Sequence, residues 1–177
     1  MKMSKTIDVV IYSYKGKKLK ETVTNLKEMS SGNNKVTIYV ADQHPLDRTE
    51  LFRSIGVKYY THIFWDSQKS PCSIKNQAIR NSQADYVLQL GDSVMLTKNW
   101  DQIALQKIEK YNTDSCNSDG VYYCRTLCNS VDRDVTAGYC SFPIISKKAT
   151  DLLGFFMYDA FRSLGGDSSI YRVYSGA

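Results

Sequence analysis

SPCSIKNQAIRNSQADYVLQLGDSVMLTKNWD, residues 70–101, is the stretch that decides how this chain is read. Ser70 followed by Pro71 is a helix start: a capping hydroxyl, then a residue whose fixed φ suits the first turn. The helix it opens carries Ile74, Ala78 and Ile79 inward. Tyr86-Val87-Leu88-Gln89-Leu90 is apolar and β-prone, the pattern of a strand buried on both faces. It runs into a polar turn, Gly91-Asp92-Ser93. Asn99 is placed to cap a second helix, with Trp100, Ile103, Ala104, Ile108 and Tyr111 on one side. A helix, a buried strand, a polar turn and another helix within 32 residues form one repeating unit of an α/β domain.

The same alternation extends upstream. Ile7-Asp8-Val9-Val10-Ile11-Tyr12 is a second β-rich, mainly apolar run that reads as buried on both faces, and Leu19, Val23 and Leu26 recur at helical spacing, with Gly32 placed to end that helix. Val36 to Val40 forms a strand closing at Asp42. Asp47 is placed to cap a short helix, with Glu50 as its partner in a capping box and Gly56 as its stop. Val57 to Phe64 reads as a further strand. Downstream the pattern loosens. Val121 to Cys124 and Tyr139 to Ile145 read as strands around a polar loop, and Ser146 caps a short helix ending at Gly154. Phe155 to Leu164 is apolar and packs over the sheet, before Gly165-Gly166-Asp167 breaks the chain ahead of a final helical turn.

Alternating strands and helices predict an α/β fold: a mainly parallel central sheet with helices on both faces. Residues 1–177 read as a single domain, without repeat, linker or low-complexity segment. In open sheets of this kind ligands bind beyond the carboxyl ends of the strands. The polar residues there are Ser13 and Tyr14, Asp42 and Gln43, Asp66, and Gly91-Asp92-Ser93. Tyr12 and Tyr14 flank the end of the first strand, where at most one is expected to face the site and stack on a base.

Composition narrows the function classes. Hydrophobic residues make up 42% and charged residues 23%, the balance of a globular domain. No window approaches the roughly 18 consecutive apolar residues of a membrane span. Met1 to Asp8 lacks the apolar stretch and cleavage site of a signal peptide, so a soluble, cytoplasmic protein is expected. The net charge of +5 and pI of about 8.9 suit a polyanionic ligand, a nucleotide diphosphate or nucleic acid. Lys15-Gly16-Lys17-Lys18 is the dense basic cluster, read as a solvated turn and the exposed start of a helix. Five cysteines cannot all pair, and Cys116, Cys124, Cys128 and Cys140 lack zinc-site spacing, so free, mostly buried thiols are expected. The thirteen tyrosines fall largely in apolar strands and read as core or its rim rather than as a base-stacking surface.

No glycine-rich phosphate loop is present, neither G-x-G-x-x-G nor G-K-[ST]. A bound nucleotide therefore needs another device, such as a divalent metal held by a carboxylate at a strand end. Here the central segment resembles that of glycosyltransferases with the GT-A fold. In that family a helix bearing a basic residue and Asn precedes a strand ending in an acidic D-x-D, followed by a capped helix that begins with Trp. The resemblance is nearest to the cytoplasmic protein-hydroxyproline GlcNAc-transferases, matched by Tyr86-Val87-Leu88-Gln89 and by Trp100-Asp101. Asp42 stands where such enzymes place an acid against the base or ribose. Gly166-Asp167 with Arg172 resembles their late Gly-Glu…Arg element.

The resemblance implies a single GT-A-like domain that moves a sugar from a nucleotide-sugar donor, most simply a UDP-sugar, to an acceptor hydroxyl. Tyr12, Tyr14, Asp42, Lys75, Asn76, Gly91, Asp92 and Ser93 are the expected donor-binding residues. Asp92 is the expected ligand of Mn²⁺ or Mg²⁺, and Asp167 the expected catalytic base or acceptor-positioning residue. The acceptor is a protein, a glycan or a hydroxymethylated DNA base. The chain departs from the family at the D-x-D, where Gly91 and Ser93 replace the outer acids. Asp92 then binds metal with phosphate and water completing its shell, or the diphosphate is held without metal by Lys75 or another cation, or catalysis has been lost and a binding or interaction module remains. Family members usually continue beyond the point corresponding to Tyr174–Ala177, so acceptor elements are expected to be either absent or supplied by a partner subunit. Structural roles compete with each assignment: a turn cap for Asp92, turn chemistry for Asp42, a solvated helix start for Lys75 and Asn76, a helix cap for Asp167, and a core anchor for Trp100.

Overall fold

The computed structural model describes residues 4–14, 16–61, 71–115, 120, 123–124 and 142–157. Strands and helices alternate through β1 (Thr6–Ser13), α1 (Leu19–Glu28), β2 (Lys35–Asp42), α2 (Thr49–Ser54), β3 (Lys58–Thr61), α3 (Pro71–Arg80), β4 (Tyr86–Gly91) and α4 (Trp100–Ser115). The short β5 (Tyr123–Cys124), β6 (Ile144–Ser146) and α5 (Lys147–Leu153) follow. They build a six-stranded sheet of order β3-β2-β1-β4-β6-β5. Pairing is parallel from β3 to β4, and β6 joins β4 and β5 antiparallel. The expected α/β architecture with a mainly parallel sheet is therefore the observed one.

Each central strand divides its side chains between two cores, as the two-residue period requires. Ile7, Val9 and Ile11 of β1, Ile38 and Val40 of β2, and Leu88 and Leu90 of β4 face one side. There they meet Leu19, Val23 and Leu26 of α1, Phe52 of α2, and Trp100, Leu105 and Ile108 of α4. Val10, Tyr39, Ala41 and Val87 face the other side, against Ile74, Ala78 and Ile79 of α3 and Ala149 of α5. Phe156 and Met157 belong to this second core. Each such aliphatic side chain contributes roughly 1.5–3 kcal/mol by leaving water. Helices thus cover both faces, with α1, α2 and α4 on one and α3 and α5 on the other.

Several local expectations are corrected. Helix α1 ends at Glu28 with Met29 as its C-cap, and Gly32, at φ +75°, lies in the following turn rather than at the helix end. The Asp47–Glu50 capping box does not form. Asp47 accepts a hydrogen bond from the backbone of Thr49 at 2.8 Å, Arg48 takes the N-cap position, and Glu50 pairs with Arg53. Ile103 is 42% exposed, while Leu105 packs into the core in its place. Ser146 caps α5 as expected, accepting from Ala149 N at 3.2 Å, and Gly154 closes that helix at φ +73°. No helix among the described residues is long and apolar enough to cross a membrane. Asp66, Ser70, the expected strand residues 62–64, 121–122 and 139–141, the apolar run after Met157, Gly165-Gly166-Asp167 and Arg172 lie outside the described residues. So do Lys15, His62, Cys116, Cys128 and Cys140. Cys72 is buried and in no disulfide, in keeping with the expectation of buried thiols.

Candidate functional site

Strand register brings the polar strand ends together. Ser13 pairs with Asp42, and Tyr12 pairs with Gly91, so the tips of β2, β1 and β4 lie side by side. From Gly91 the chain turns, and the Asp92 carboxylate reaches back to β1. Its Oδ2 accepts the Ser13 hydroxyl at 3.0 Å and the Gly16 backbone N–H at 2.9 Å. The backbone carbonyl of Asp92 accepts Thr22 Oγ1 of α1 at 3.1 Å. Asn25, one helical turn further along α1, holds both backbone groups of Leu96, at 2.7 Å to the N–H and 3.4 Å to the carbonyl. The loop after β4 is moored to α1 and the β1–α1 turn, so Asp92 sits in a fixed place.

Arg48 extends this network. Its Nη2 donates to Ser13 Oγ at 2.9 Å, its Nε reaches Asp42 Oδ2 at 3.4 Å, and Nη2 also pairs with Asp42 Oδ1. A continuous polar chain therefore crosses three strand tips: Asp92, Ser13, Arg48, Asp42. Arg48 and Asp42 are 11% and 2% exposed at their side chains, so the pair is largely removed from water. Burial pulls the Arg48 guanidinium below its ordinary value, and the Asp92 carboxylate draws it back up. A Cβ on Gly16 would overlap the Arg48 guanidinium, and Gly16 adopts φ +65°, so glycine is needed here on both counts. Sequence reasoning misses Arg48, which belongs to no strand end or motif. A signal is nevertheless present: an acid at the end of a buried strand requires a cation nearby, and Arg48 is the first after Asp42.

The remaining donor-site candidates divide between two places. Tyr12 faces the α3 side, where its hydroxyl donates to Gln43 Oε1 at 2.9 Å and the Lys75 ammonium lies 5.0 Å from its ring centroid. Burial, then the nearby Tyr14, Asp92 and Cys72, push the Tyr12 phenol up to about 12, so it is neutral at physiological pH. Lys75 is buried, with Met157 Sδ 3.8 Å away. Asn76 clamps the segment after α5. It accepts from the backbone N–H groups of Phe156 and Met157 at 3.0 and 2.9 Å, and donates to the Met157 carbonyl at 2.5 Å. Tyr14 and Ser93 are exposed beside the strand tips. Trp100 is a core anchor: its indole N–H donates to the Leu26 carbonyl at 3.2 Å. Asp101 lies at the opposite end of α1, where it accepts from Ser31 N, Ser31 Oγ and Asn34 Nδ2 at 2.7, 2.7 and 2.9 Å.

The oxygen donors at this end match Mg²⁺ or Mn²⁺ in kind but fall short of a D-x-D clamp in number. Asp92 is the one carboxylate of the 91–93 turn, and its Oδ2 already accepts two hydrogen bonds. Asp42 is paired with Arg48. Among the described residues, no three His, Cys, Asp or Glu side chains gather as a metal site would require. A groove of about 560 Å³ lined by Lys27, Val36 and Lys58 lies at the amino-terminal ends of β2 and β3, away from this chemistry.

No protein-family model matches the sequence, and no curated protein matches it. Solved structures do match the fold. TarS of S. aureus superposes with a TM-score of 0.69 at 13% identity, over 97% of this chain and 33% of that one. Residues 1–349 of TarS in complex with UDP give 0.67 at 13% identity, over 97% and 55%. The mannosyltransferase PcManGT from Pyrobaculum calidifontis, in complex with GDP-Man and Mn²⁺, gives 0.63 at 12% identity, over 95% and 51%. This chain thus spans between a third and just over half of the length of these proteins. At such identities the likeness shows the fold, and that fold is the GT-A type.

Proposed function

We propose that this chain is a nucleotide-sugar-dependent glycosyltransferase domain that transfers a sugar from a UDP-sugar to an acceptor hydroxyl. The observation that carries the reading is the polar chain Asp92–Ser13–Arg48–Asp42 across the carboxyl ends of β4, β1 and β2. A sheet of this kind receives its ligand there. The solved structures that share the fold include complexes with UDP and with GDP-Man. Sugar transfer requires stabilisation of charge developing on the diphosphate leaving group, and fixed cations or oriented N–H groups supply it. Arg48, Lys75 and the N–H groups of the β1–α1 and β4–α4 turns are the resources of this chain for that task. Asp42, with Tyr12 or Tyr14, serves the nucleoside, Gly91 and Ser93 leave room around Asp92, and Asp167 serves the acceptor. The likeness of the central segment to hydroxyproline GlcNAc-transferases favours a protein hydroxyl as acceptor.

Calorimetric titration with UDP-glucose and UDP-GlcNAc, with and without Mn²⁺, tests the proposal. Binding of either donor, followed by slow release of free sugar in the absence of acceptor, is the expected result. No binding of any nucleotide sugar under either condition sinks it. Binding without turnover towards any hydroxyl acceptor selects the rival reading, a degenerate binding module, which the incomplete D-x-D favours.

A further inference from the structure

We infer that Arg48 is the resident cation of this site and binds the ligand's diphosphate directly, so that nucleotide binding does not depend on a divalent metal. The inference rests on the proposed nucleotide-binding role and adds to it the group that holds the phosphates. Three observations carry it.

The first is the state of the guanidinium. Arginine presents five N–H donors in a rigid fork. Nε and Nη2 are spent on Asp42 and Ser13, which fix the plane of the group. Nη1 makes no hydrogen bond among the described residues and lies at Gly16, where any larger residue would displace it. The Nε/Nη2 edge of the fork is thus anchored, and Nη1, packed against Gly16 in the β1–α1 turn, carries the donors not used by Asp42 or Ser13. A guanidinium whose plane is fixed in this way is pre-organised to turn its Nη1 donors to a phosphate seated at the β1–α1 turn, with little ordering left to do on binding.

The second is its position. Ser13 Oγ is shared between Arg48 Nη2 and Asp92 Oδ2, at 2.9 and 3.0 Å. Arg48 is therefore one hydroxyl away from the carboxylate that aligns with the middle of the D-x-D. A fixed positive charge already stands next to the place where a metal would bridge acid and diphosphate.

The third is the deficit of acids. Gly91 and Ser93 supply no carboxylate, and Asp42 is neutralised by Arg48 itself. With Asp42 held by Arg48, Asp92 is, among the described residues, the one carboxylate of this end left to face a metal, fewer than a divalent ion on a diphosphate usually draws from its protein.

The test is calorimetry with UDP, uridine and inorganic pyrophosphate, in EDTA and in Mn²⁺, on the full chain. Arg48→Lys retains charge but loses the Nη1 donors of the fork. Because an unpaired Asp42 can impair folding, the doubly substituted Asp42→Asn/Arg48→Met chain is measured alongside, with thermal melts certifying that each is folded. Wild type is expected to bind UDP in EDTA within about threefold of its affinity in Mn²⁺. Both variants are expected to lose about tenfold or more for UDP and pyrophosphate, with Arg48→Lys changing uridine binding less than about twofold. UDP binding that requires Mn²⁺ overturns the inference and leaves the proposed function standing. So does unchanged UDP binding by both folded variants in EDTA. Failure of wild type to bind UDP under any condition instead overturns the nucleotide-binding reading beneath it.

Discussion

Asp92 Oδ2 accepts the Ser13 hydroxyl at 3.0 Å, tying the end of β4 to the end of β1. The same oxygen accepts the Gly16 N–H at 2.9 Å, so one carboxylate closes the turn that follows each strand. The residue singled out for ligand chemistry is therefore also a brace of the loops that would form the ligand site. Its two roles can be separated by substitution, because hydrogen bonding needs only an acceptor, whereas electrostatic work needs the charge.

Asp92→Asn keeps an oxygen acceptor for Ser13 and Gly16, and is expected to lower stability by less than about 1 kcal/mol. Asp92→Ala leaves a hydroxyl and a backbone N–H without their acceptor and is expected to cost about 1–3 kcal/mol. Urea melts of the two variants measure the difference. If the two melt alike, the brace described above contributes nothing measurable.

The Asp42–Arg48 pair is buried enough for its halves to be inseparable. Arg48→Met strands a carboxylate that is 2% exposed, and is expected to cost roughly 3–5 kcal/mol. Adding Asp42→Asn removes the stranded charge and is expected to recover at least half of that loss. A double-mutant cycle by chemical denaturation measures the coupling. Additive effects would mean that the two groups do not depend on one another.

How much of this site is legible in the sequence follows from how far apart the cooperating residues lie. Buried strands ending in polar residues are visible locally, so the local pattern alone places Ser13, Asp42 and Asp92 at strand ends. Parallel register then brings them together, with Ser13 opposite Asp42 and Tyr12 opposite Gly91. Arg48 is hidden because its partners lie on two different strands, and because a capping-box pattern from Asp47 to Glu50 offers a local explanation for that segment. In the structure Arg48 itself takes the N-cap position and the box does not form. Ile103 departs from expectation for a related reason. The apolar stripe of α4 runs through Leu105 and Ile108, and helical spacing alone does not tell which edge of a stripe faces the sheet. Trp100-Asp101, matched as a family signature, turns out to be structural: both side chains fasten α4 to the region where α1 ends and β2 begins.

Asp101 makes that fastening pH-dependent. Burial pushes its carboxyl up, but hydrogen bonds from the Ser31 side chain and backbone, Asn34 and the backbone of Gln102 outweigh burial and hold it below the ordinary 3.8. A carboxyl depressed in the folded state contributes stability that is fully present above its unfolded value. That contribution is lost as pH falls through the lower, folded value. Stability is therefore expected to be level in this respect above about pH 5, and to decline below the ordinary carboxylate range. Asp101→Asn is expected to be less stable at pH 7 and to show a shallower acid limb. Thermal melts between neutral and strongly acidic pH compare the two slopes, and equal slopes would remove Asp101 as a source of acid sensitivity.

Gly91 offers the most direct experiment on the polar turn after β4. A Cβ built there meets Phe142 Cε1 at 3.6 Å and Val94 Cγ2 at 3.8 Å, ordinary van der Waals distances. No positive φ demands glycine at this position. Gly91→Asp should therefore fold, at a cost of about 1 kcal/mol or less for a partly exposed site. It places a second carboxylate one residue before Asp92, and two carboxylates on one turn hold a divalent ion far better than one. If the site is the nucleotide-diphosphate site proposed above, the variant gains a response that wild type lacks. Mn²⁺ should tighten its UDP binding by roughly tenfold, since the ion bridges the new acid and the diphosphate. In EDTA the variant should bind UDP more weakly than wild type, because the added negative charge repels the phosphates. Calorimetry in the two conditions reads both effects. A variant indifferent to Mn²⁺ and unchanged in EDTA would place the diphosphate elsewhere than at the 91–93 turn.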